Sequence, residues 1–238
     1  MEQPPRSERP ERREPWIVGV SGASGTPYAA AVLRALLAAG ESVDLVVSRA
    51  ARLTLLDETG VSFRDGHWQE DLRSWLARGA DGKPDAYLAE LPDLSGDAVR
   101  CWRPGDLAAG PSSGSYRARG MLIVPASTAA VAGVSLGLSK DLLQRAASVT
   151  LKERRPLVVV VRETPLAGQT LRQLVELDEA GAVVLPASPA FYAGASQLQD
   201  AVDFVAGRAL DAVGVAHDLY RRWRGELGGG AARSAHHS

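Results

Sequence analysis

One cysteine, Cys101, stands in the 238 residues, so the chain can form neither an intrachain disulfide framework nor a multi-thiolate zinc site. Histidine is almost as scarce, with four copies, and His236 and His237 fall in a Gly/Ala/Ser tail. Only His67 and His217 remain, too few for a histidine-based structural metal site. Neither a Ser-His-Asp set nor a Cys-His set is legible, which leaves acyl-enzyme hydrolysis without support. Apolar runs never reach the roughly 18 residues that a membrane-spanning helix requires. Charge of one sign is lacking as well: 27 basic residues face 28 acidic ones, for a net −1. That balance gives no field to gather nucleic acid or an anionic membrane. Aromatic residues make up only 5%.

Small residues are plentiful, with 24 glycines, which suits close helix-on-sheet packing. Residues 1–14, charged and proline-rich, read as a disordered leader, residues 15–225 as one domain, and residues 226–238 as a flexible tail. The cytoplasm is the expected compartment. Trp16–Val20 (WIVGV) is a short apolar run that leads through a glycine-rich loop into an Ala/Leu-rich helix ended by Gly40. Similar runs recur at Val43–Val47, 121–124, Leu157–Val161 and 182–185. Continuously apolar strands joined by helices are the mark of a sheet covered on both faces. The expected fold is therefore α/β, a Rossmann-like or flavodoxin-like three-layer sandwich with a parallel central sheet. Residues 61–110 are more polar and read as an embellishment of the same domain, with an amphipathic helix over 68–78 and an edge strand near Val99–Trp102. A last helix is expected over 196–211.

The candidate site residues cluster where strands end. Ser21-Gly22-Ala23-Ser24-Gly25 opens the first helix, a place where backbone N–H groups and the helix dipole favour a phosphate. The loop lacks the G-x-G-x-x-G spacing of dinucleotide sites and the lysine of triphosphate loops, so a mononucleotide is the better guest; a ligand-free tight turn is the alternative. Ser48 follows the second strand and Ser127-Thr128 the 121–124 run, each as a ligand contact or a plain helix cap. Arg162 and Glu163 follow Leu157–Val161 directly, which suits phosphate binding and proton transfer, or a structural ion pair. Arg145 precedes Lys152 by two helical turns, so one continuous helix would place both on one face. Tyr192, in a loop, and Arg208, in an apolar helix, are either further anion contacts or, respectively, core-facing and solvent-seeking side chains. Taken together, these groups describe a phosphate loop at one end of a pocket and a cationic cluster at the other.

At these residues the chain resembles the UbiX-like flavin prenyltransferases, a family once described as aromatic acid decarboxylases, within the FMN-binding flavoproteins. The matching segments are VGVSGASGTPYAAAVL, VVSRAA, the SSGS of residues 112–115, LIVPAS, LLQRAASVTLKERRPLVVVVRETPL, LPASPAFY and VDFVAGRAL. The resemblance implies binding of reduced FMN as a prenyl acceptor, with contacts on Gly22, Ala23, Ser24, Ser48, Ser127, Thr128 and Arg145. It implies that Lys152, Arg162, Glu163, Tyr192 and Arg208 hold dimethylallyl phosphate or diphosphate. It further implies catalytic roles for Glu58, Lys152, Glu163 and Tyr192, and a Trp223 that closes over a neighbour's site.

The same resemblance implies a metal-independent transfer of the dimethylallyl group to flavin N5 and then C6, in a homo-oligomer, commonly a dodecamer. The prenylated FMN would serve a client decarboxylase. Two departures from the family pattern fall beside the expected flavin site: Lys140-Asp141 stand where an asparagine is common, and Ala129-Ala130 replace a more polar pair. An FMN-dependent decarboxylase or oxidoreductase of a small acid, and a non-catalytic flavin-binding protein, are the competing readings.

Overall fold

Short apolar runs closed by glycine, serine or proline become the strands, and the Ala/Leu-rich stretches between them become the helices. A computed structural model describes residues 12–86, 88, 90, 94, 98–223 and 225. In chain order the elements are β1 Trp16–Val20, α1 Thr26–Ala38, β2 Val43–Val47, α2 Arg49–Thr59, α3 Trp68–Leu76, β3 Val99–Trp102, β4 Gly120–Ala126, α4 Thr128–Ser135, α5 Leu142–Lys152, β5 Leu157–Val161, α6 Gly168–Glu179, β6 Val183–Pro186 and α7 Leu198–Asp211. The expected α/β sandwich is present. The helix expected to reach residue 78 ends at Leu76, and the last helix begins at Leu198 rather than 196.

All strand pairs are parallel, in the order β3-β2-β1-β4-β5-β6. This is the order of dinucleotide-binding folds, although the first loop lacks their fingerprint. Successive side chains of a strand point to opposite faces, and each face has its own core. Val18, Val20, Leu45, Val47, Leu122 and Val158 pack with α1, α2, α3 and α7. Ile17, Val46, Met121, Ile123, Leu157 and Val159 pack with α4, α5 and α6. The polar 61–110 segment adds α3 to the first layer and β3 to the sheet edge, so it is part of the same body.

Of the stretch expected to be a disordered leader, residues 12–14 are described, and they are anchored. Arg12 forms an ion pair of 2.9 Å with the fully buried Asp44, to which the Tyr116 hydroxyl also donates at 2.6 Å. An unpaired buried carboxylate would be costly, so these two partners fix the entry of the chain into β1. Residues 1–11 and the expected tail 226–238 lie outside the described residues.

Candidate active site at the carboxyl edge of the sheet

The strand order reverses between β1 and β4, and the crevice beyond the strand ends at that point is where open α/β sheets bind ligands. A cavity of about 420 Å³ lies there, lined among others by Ser21, Gly22, Ser48, Ser127, Lys140 and Asp141. Three helices begin at its wall, each with a side-chain cap. Ser48 accepts from the Ala51 N–H at 3.1 Å, Ser127 from Ala130 at 3.2 Å, and Asp141 from Gln144 at 2.9 Å. The cap uses a lone pair and leaves the serine O–H to donate. Capping and ligand binding are thus compatible at Ser48 and Ser127, although the sequence presents them as alternatives. A Cβ on Gly22 would stand 2.5 Å from the Ala50 Cβ, so only glycine lets the first loop lie this close to the start of α2. Thr128 is the first residue of α4, and Ala23 is buried behind the loop.

The first loop corrects an expectation. Both of its ends are engaged by protein: Ser21 donates to the Pro125 carbonyl at 2.8 Å and accepts from the Ser127 N–H at 2.7 Å. The Glu58 carboxylate, brought in by α2, accepts from the Gly25 and Thr26 N–H groups at 2.8 Å each and from the Thr26 hydroxyl at 2.6 Å. A protein anion therefore sits at the start of α1, in the place the sequence suggests for a phosphate, because a carboxylate complements a helix N-terminus as a phosphate does. Further donors toward the cavity stand at the starts of α2, α4 and α5. Ser24 is exposed, and its carbonyl accepts from Arg162 Nε at 3.0 Å. Arg162 and Glu58 also act on Tyr28, whose phenol is raised above its ordinary pKa, chiefly by burial.

The residues expected to hold an allyl phosphate fall into three places. Arg162 and Glu163 follow β5 at the ligand edge, Glu163 exposed and accepting from the Thr164 N–H at 2.9 Å. Tyr192 and Arg208 lie beside a second cavity of about 560 Å³ between β6 and α7, which Arg208 lines with Ser188, Phe204 and Asp211. Arg208 donates to Asp211 at 3.1 Å. Trp223 makes an edge contact with Tyr192 of its own chain at 5.6 Å between ring centroids.

Lys152 is elsewhere. α5 is continuous from Arg145 to Lys152, as the spacing expects, but it begins at the first cavity and descends antiparallel to the strands. Its ten-residue rise carries Lys152 about 15 Å away, toward the opposite sheet edge. There Lys152 pairs with Glu153 and lies against Gly114, where a Cβ would meet its Nζ at 2.5 Å. Arg145 donates to the Ser112 carbonyl at 3.0 Å, and Arg155 to the carbonyls of Gly114 and Tyr116 at 2.9 Å each. The 112–115 segment is therefore strapped along α5 beside Arg145 and Lys152. One chain does not bring Lys152 to Arg162, Glu163 or Arg208.

One residue carries no sequence signal of its own: Arg49, just past β2, lines the first cavity, but a cation after a strand is ordinarily a solvated one. All four departures from the family pattern, Ala129, Ala130, Lys140 and Asp141, line this cavity too. Asp141 does the capping work there, and Lys140 adds a cation to the rim. Burial pushes the Cys101 thiol up to about 12. Among the described residues no cluster suited to a metal ion is found, and no helix is long and apolar enough to cross a membrane.

With this geometry in view, comparisons with known proteins converge. The flavoprotein family model matches residues 4–210. The flavin prenyltransferase UbiX of Streptomyces coelicolor is 81% identical over 215 residues, covering 90% of this chain and 97% of the relative. The crystal structure of AnUbiX (PadA1) in complex with FMN and dimethylallyl pyrophosphate is 35% identical, with a TM-score of 0.74, and the match covers 90% of this chain and 100% of that one. A dodecameric FMN-dependent UbiX-like decarboxylase from Escherichia coli O157:H7 is 36% identical with a TM-score of 0.72, over 88% of this chain and 99% of that one. The chain belongs to the UbiX-like flavin prenyltransferase family of flavoproteins.

Proposed function

We infer that this protein is a flavin prenyltransferase that joins the dimethylallyl group of dimethylallyl phosphate to reduced FMN. The reaction forms a bond from flavin N5 to the allylic carbon as the carbon–oxygen bond breaks and phosphate leaves. Protonation of the attached group's remaining double bond then gives a tertiary carbocation that flavin C6 captures, closing a new ring as the C6 proton is lost. Only the N5 proton and the phosphate are released overall. The observation that carries the reading is the cavity at the strand-order reversal, whose wall holds three helix starts and whose lining includes the small residues Gly22, Ala50, Gly105, Ala129 and Ala130. Small residues accept a flat ring without steric cost, and the helix starts supply donors for the polar rim and phosphate.

Gly22, Ala23, Ser24, Ser48, Ser127 and Thr128 form the flavin side of the site. Glu58 orients the first loop from beneath through Gly25 and Thr26. Arg162, Glu163, Tyr192 and Arg208 form the allyl-phosphate side: the guanidinium groups grip phosphate, and Glu163 handles the proton. The chemistry requires water to be kept from the carbocation. Lys152 and the 112–115 segment lie far down α5 from their own cavity, with Arg145 between them and its wall. Homo-oligomeric assembly, as a dodecamer like the Escherichia coli neighbour, presents that end of α5 to another protomer's site. Reduced FMN is kept available in the cytoplasm, which is where the reading places the enzyme, supplying prenylated FMN to a client decarboxylase.

Titrating the protein with FMN, FAD, NAD and ATP, then incubating it anaerobically with reduced FMN and dimethylallyl phosphate before admitting air, tests the reading. Preference for FMN and a changed flavin absorbance after the full incubation are expected. Preference for NAD or ATP would overturn it.

A further inference from the structure

Gly207 stands in the interior of α7, where glycine weakens a helix. The reason for it lies in the chain beyond the helix. After α7 the backbone turns through Gly214 and lays residues 217–223 back along the helix. A Cβ at position 207 would stand 2.5 Å from Tyr220 Cδ1 and 2.7 Å from His217 Cε1, so the strap docks only against a bare backbone.

One carboxylate ties this strap down. Asp211, the last residue of α7, accepts from the Tyr220 hydroxyl at 2.5 Å and from Arg222 Nη2 at 2.7 Å, and lies 3.1 Å from Nε2 of His217, whose side chain is 2% exposed. The same carboxylate accepts from Arg208 Nη1 at 3.1 Å, and that nitrogen is 3.5 Å from the Tyr220 hydroxyl. An aromatic stack continues from the strap into the site: Tyr220 packs on Phe204 at 4.9 Å, Phe204 on Tyr192 at 5.9 Å, and Tyr192 on Trp223 at 5.6 Å. Of the two residues assigned to the allyl phosphate, Arg208 is therefore joined to the strap through Asp211, and Tyr192 through Phe204 and Trp223.

We propose that Asp211 is a positioning residue for prenyl transfer, which closes the carboxyl-terminal strap on α7 and thereby sets Arg208 and the Tyr192 ring for the allyl phosphate. The inference rests on the prenyltransferase reading. Arg208 carries five donors in a rigid fork; Asp211 engages one terminal nitrogen and fixes the plane. Arg222 supplies a second cation to the same carboxylate, so Arg208 keeps an unbalanced positive charge for the substrate. The contact between Arg208 and Asp211 thus orients the guanidinium without neutralising it.

Steady-state kinetics of the full chain with reduced FMN and dimethylallyl phosphate, alongside FMN binding, test the proposal in Asp211→Asn, Asp211→Glu and Gly207→Ala. Asp211→Asn should raise KM for dimethylallyl phosphate about tenfold, with kcat and FMN affinity within about threefold of the parent, the pattern of lost substrate positioning. Asp211→Glu should recover part of the loss. Gly207→Ala, which displaces the strap without touching any charge, should raise KM in the same direction. Should Asp211→Asn fail to bind FMN, the comparison is read from Gly207→Ala. A KM within twofold of the parent in the FMN-binding variants would overturn the role of Asp211 while leaving the activity standing. A parent protein that makes no prenylated flavin would overturn the activity itself, and the inference with it.

Discussion

The cavity at the ends of β1, β2 and β4 and the cationic end around β5, β6 and α7 are built in opposite ways. In the first, groups that can meet a ligand are short: serine hydroxyls, backbone amides of capped helix starts and the bare backbone of Gly22. Folding itself sets their positions. In the second, the groups are long side chains, each held by a local acceptor: Arg162 by the Ser24 carbonyl, Arg208 by Asp211, and Lys152, far off in its own chain, by Glu153. One region can bind its ligand as folded, whereas the other is tuned by contacts that a substitution, salt or a neighbouring protomer can change.

The sharpest way to separate the two regions is Glu163→Gln. Loss of a positioned proton-transfer group should slow prenyl transfer by about 100-fold or more, while the FMN dissociation constant stays the same. Single-turnover product formation measured beside flavin binding checks this, and equal activity removes Glu163 from the catalytic set. Lys152→Ala comes next. Loss of a charge-assisted contact worth about 1.5–3 kcal/mol should lower transfer roughly 10- to 150-fold. Arg154→Ala, a change in the same exposed charge run, should alter stability by no more than about 0.5 kcal/mol and leave turnover intact. Lys152→Arg should recover only part of the activity, because a planar head replaces a compact one. Similar small losses in Lys152→Ala and Arg154→Ala would mean that the lysine only solvates a helix end.

Ser48→Ala perturbs the other region. It removes a helix cap and a cavity donor, and should weaken FMN binding by about 0.5–1.5 kcal/mol, the net worth of one hydrogen bond, with little further effect on transfer at saturating flavin. Isothermal titration and kinetics at two FMN concentrations distinguish the two effects. The smallest effect concerns acidity. Burial alone would raise the Asp211 carboxyl, but hydrogen bonds from Arg222, Tyr220 and His217 outweigh it and hold the group down at about 2. A carboxyl depressed in the folded state contributes stability that is complete above its unfolded pKa and is lost as pH falls toward the folded one. The strap should therefore stay docked from pH 8 to about 5 and loosen between about 4 and 2. The difference in tryptophan fluorescence between the parent and Trp223→Phe follows this transition. Undocking near neutrality would contradict the Asp211 latch.

Much of the molecule is legible in its sequence because the signals are local. Continuous apolar runs identify strands covered on both faces, and the placement of Ser48 and Ser127 just past strand ends predicts their arrival at one edge. The Arg145-to-Lys152 spacing correctly implies a continuous helix, yet spacing along a helix does not say which end of the sheet the helix reaches. Lys152 is thus not beside Arg162 in one chain. Glu58 shows the same limit. Its seat on the Gly25 and Thr26 amides joins residues far apart in sequence, and no pattern around the glycine loop announces that its donors are already taken. The Asp211 hub gathers partners from a helix end and from the strap beyond it, where only an unexpected helix glycine hints at close approach.

Under the proposed function, a flavin cavity and an allyl-phosphate grip stand in one protein so that a bond can form between their ligands. Mass spectrometry of the flavin released after anaerobic incubation with reduced FMN and dimethylallyl phosphate tests this directly. The expected product is FMN carrying one dimethylallyl unit in place of a hydrogen, with one phosphate freed per flavin modified and no product when either substrate is omitted. Recovery of unmodified FMN alone, from protein shown to bind both ligands, would contradict it.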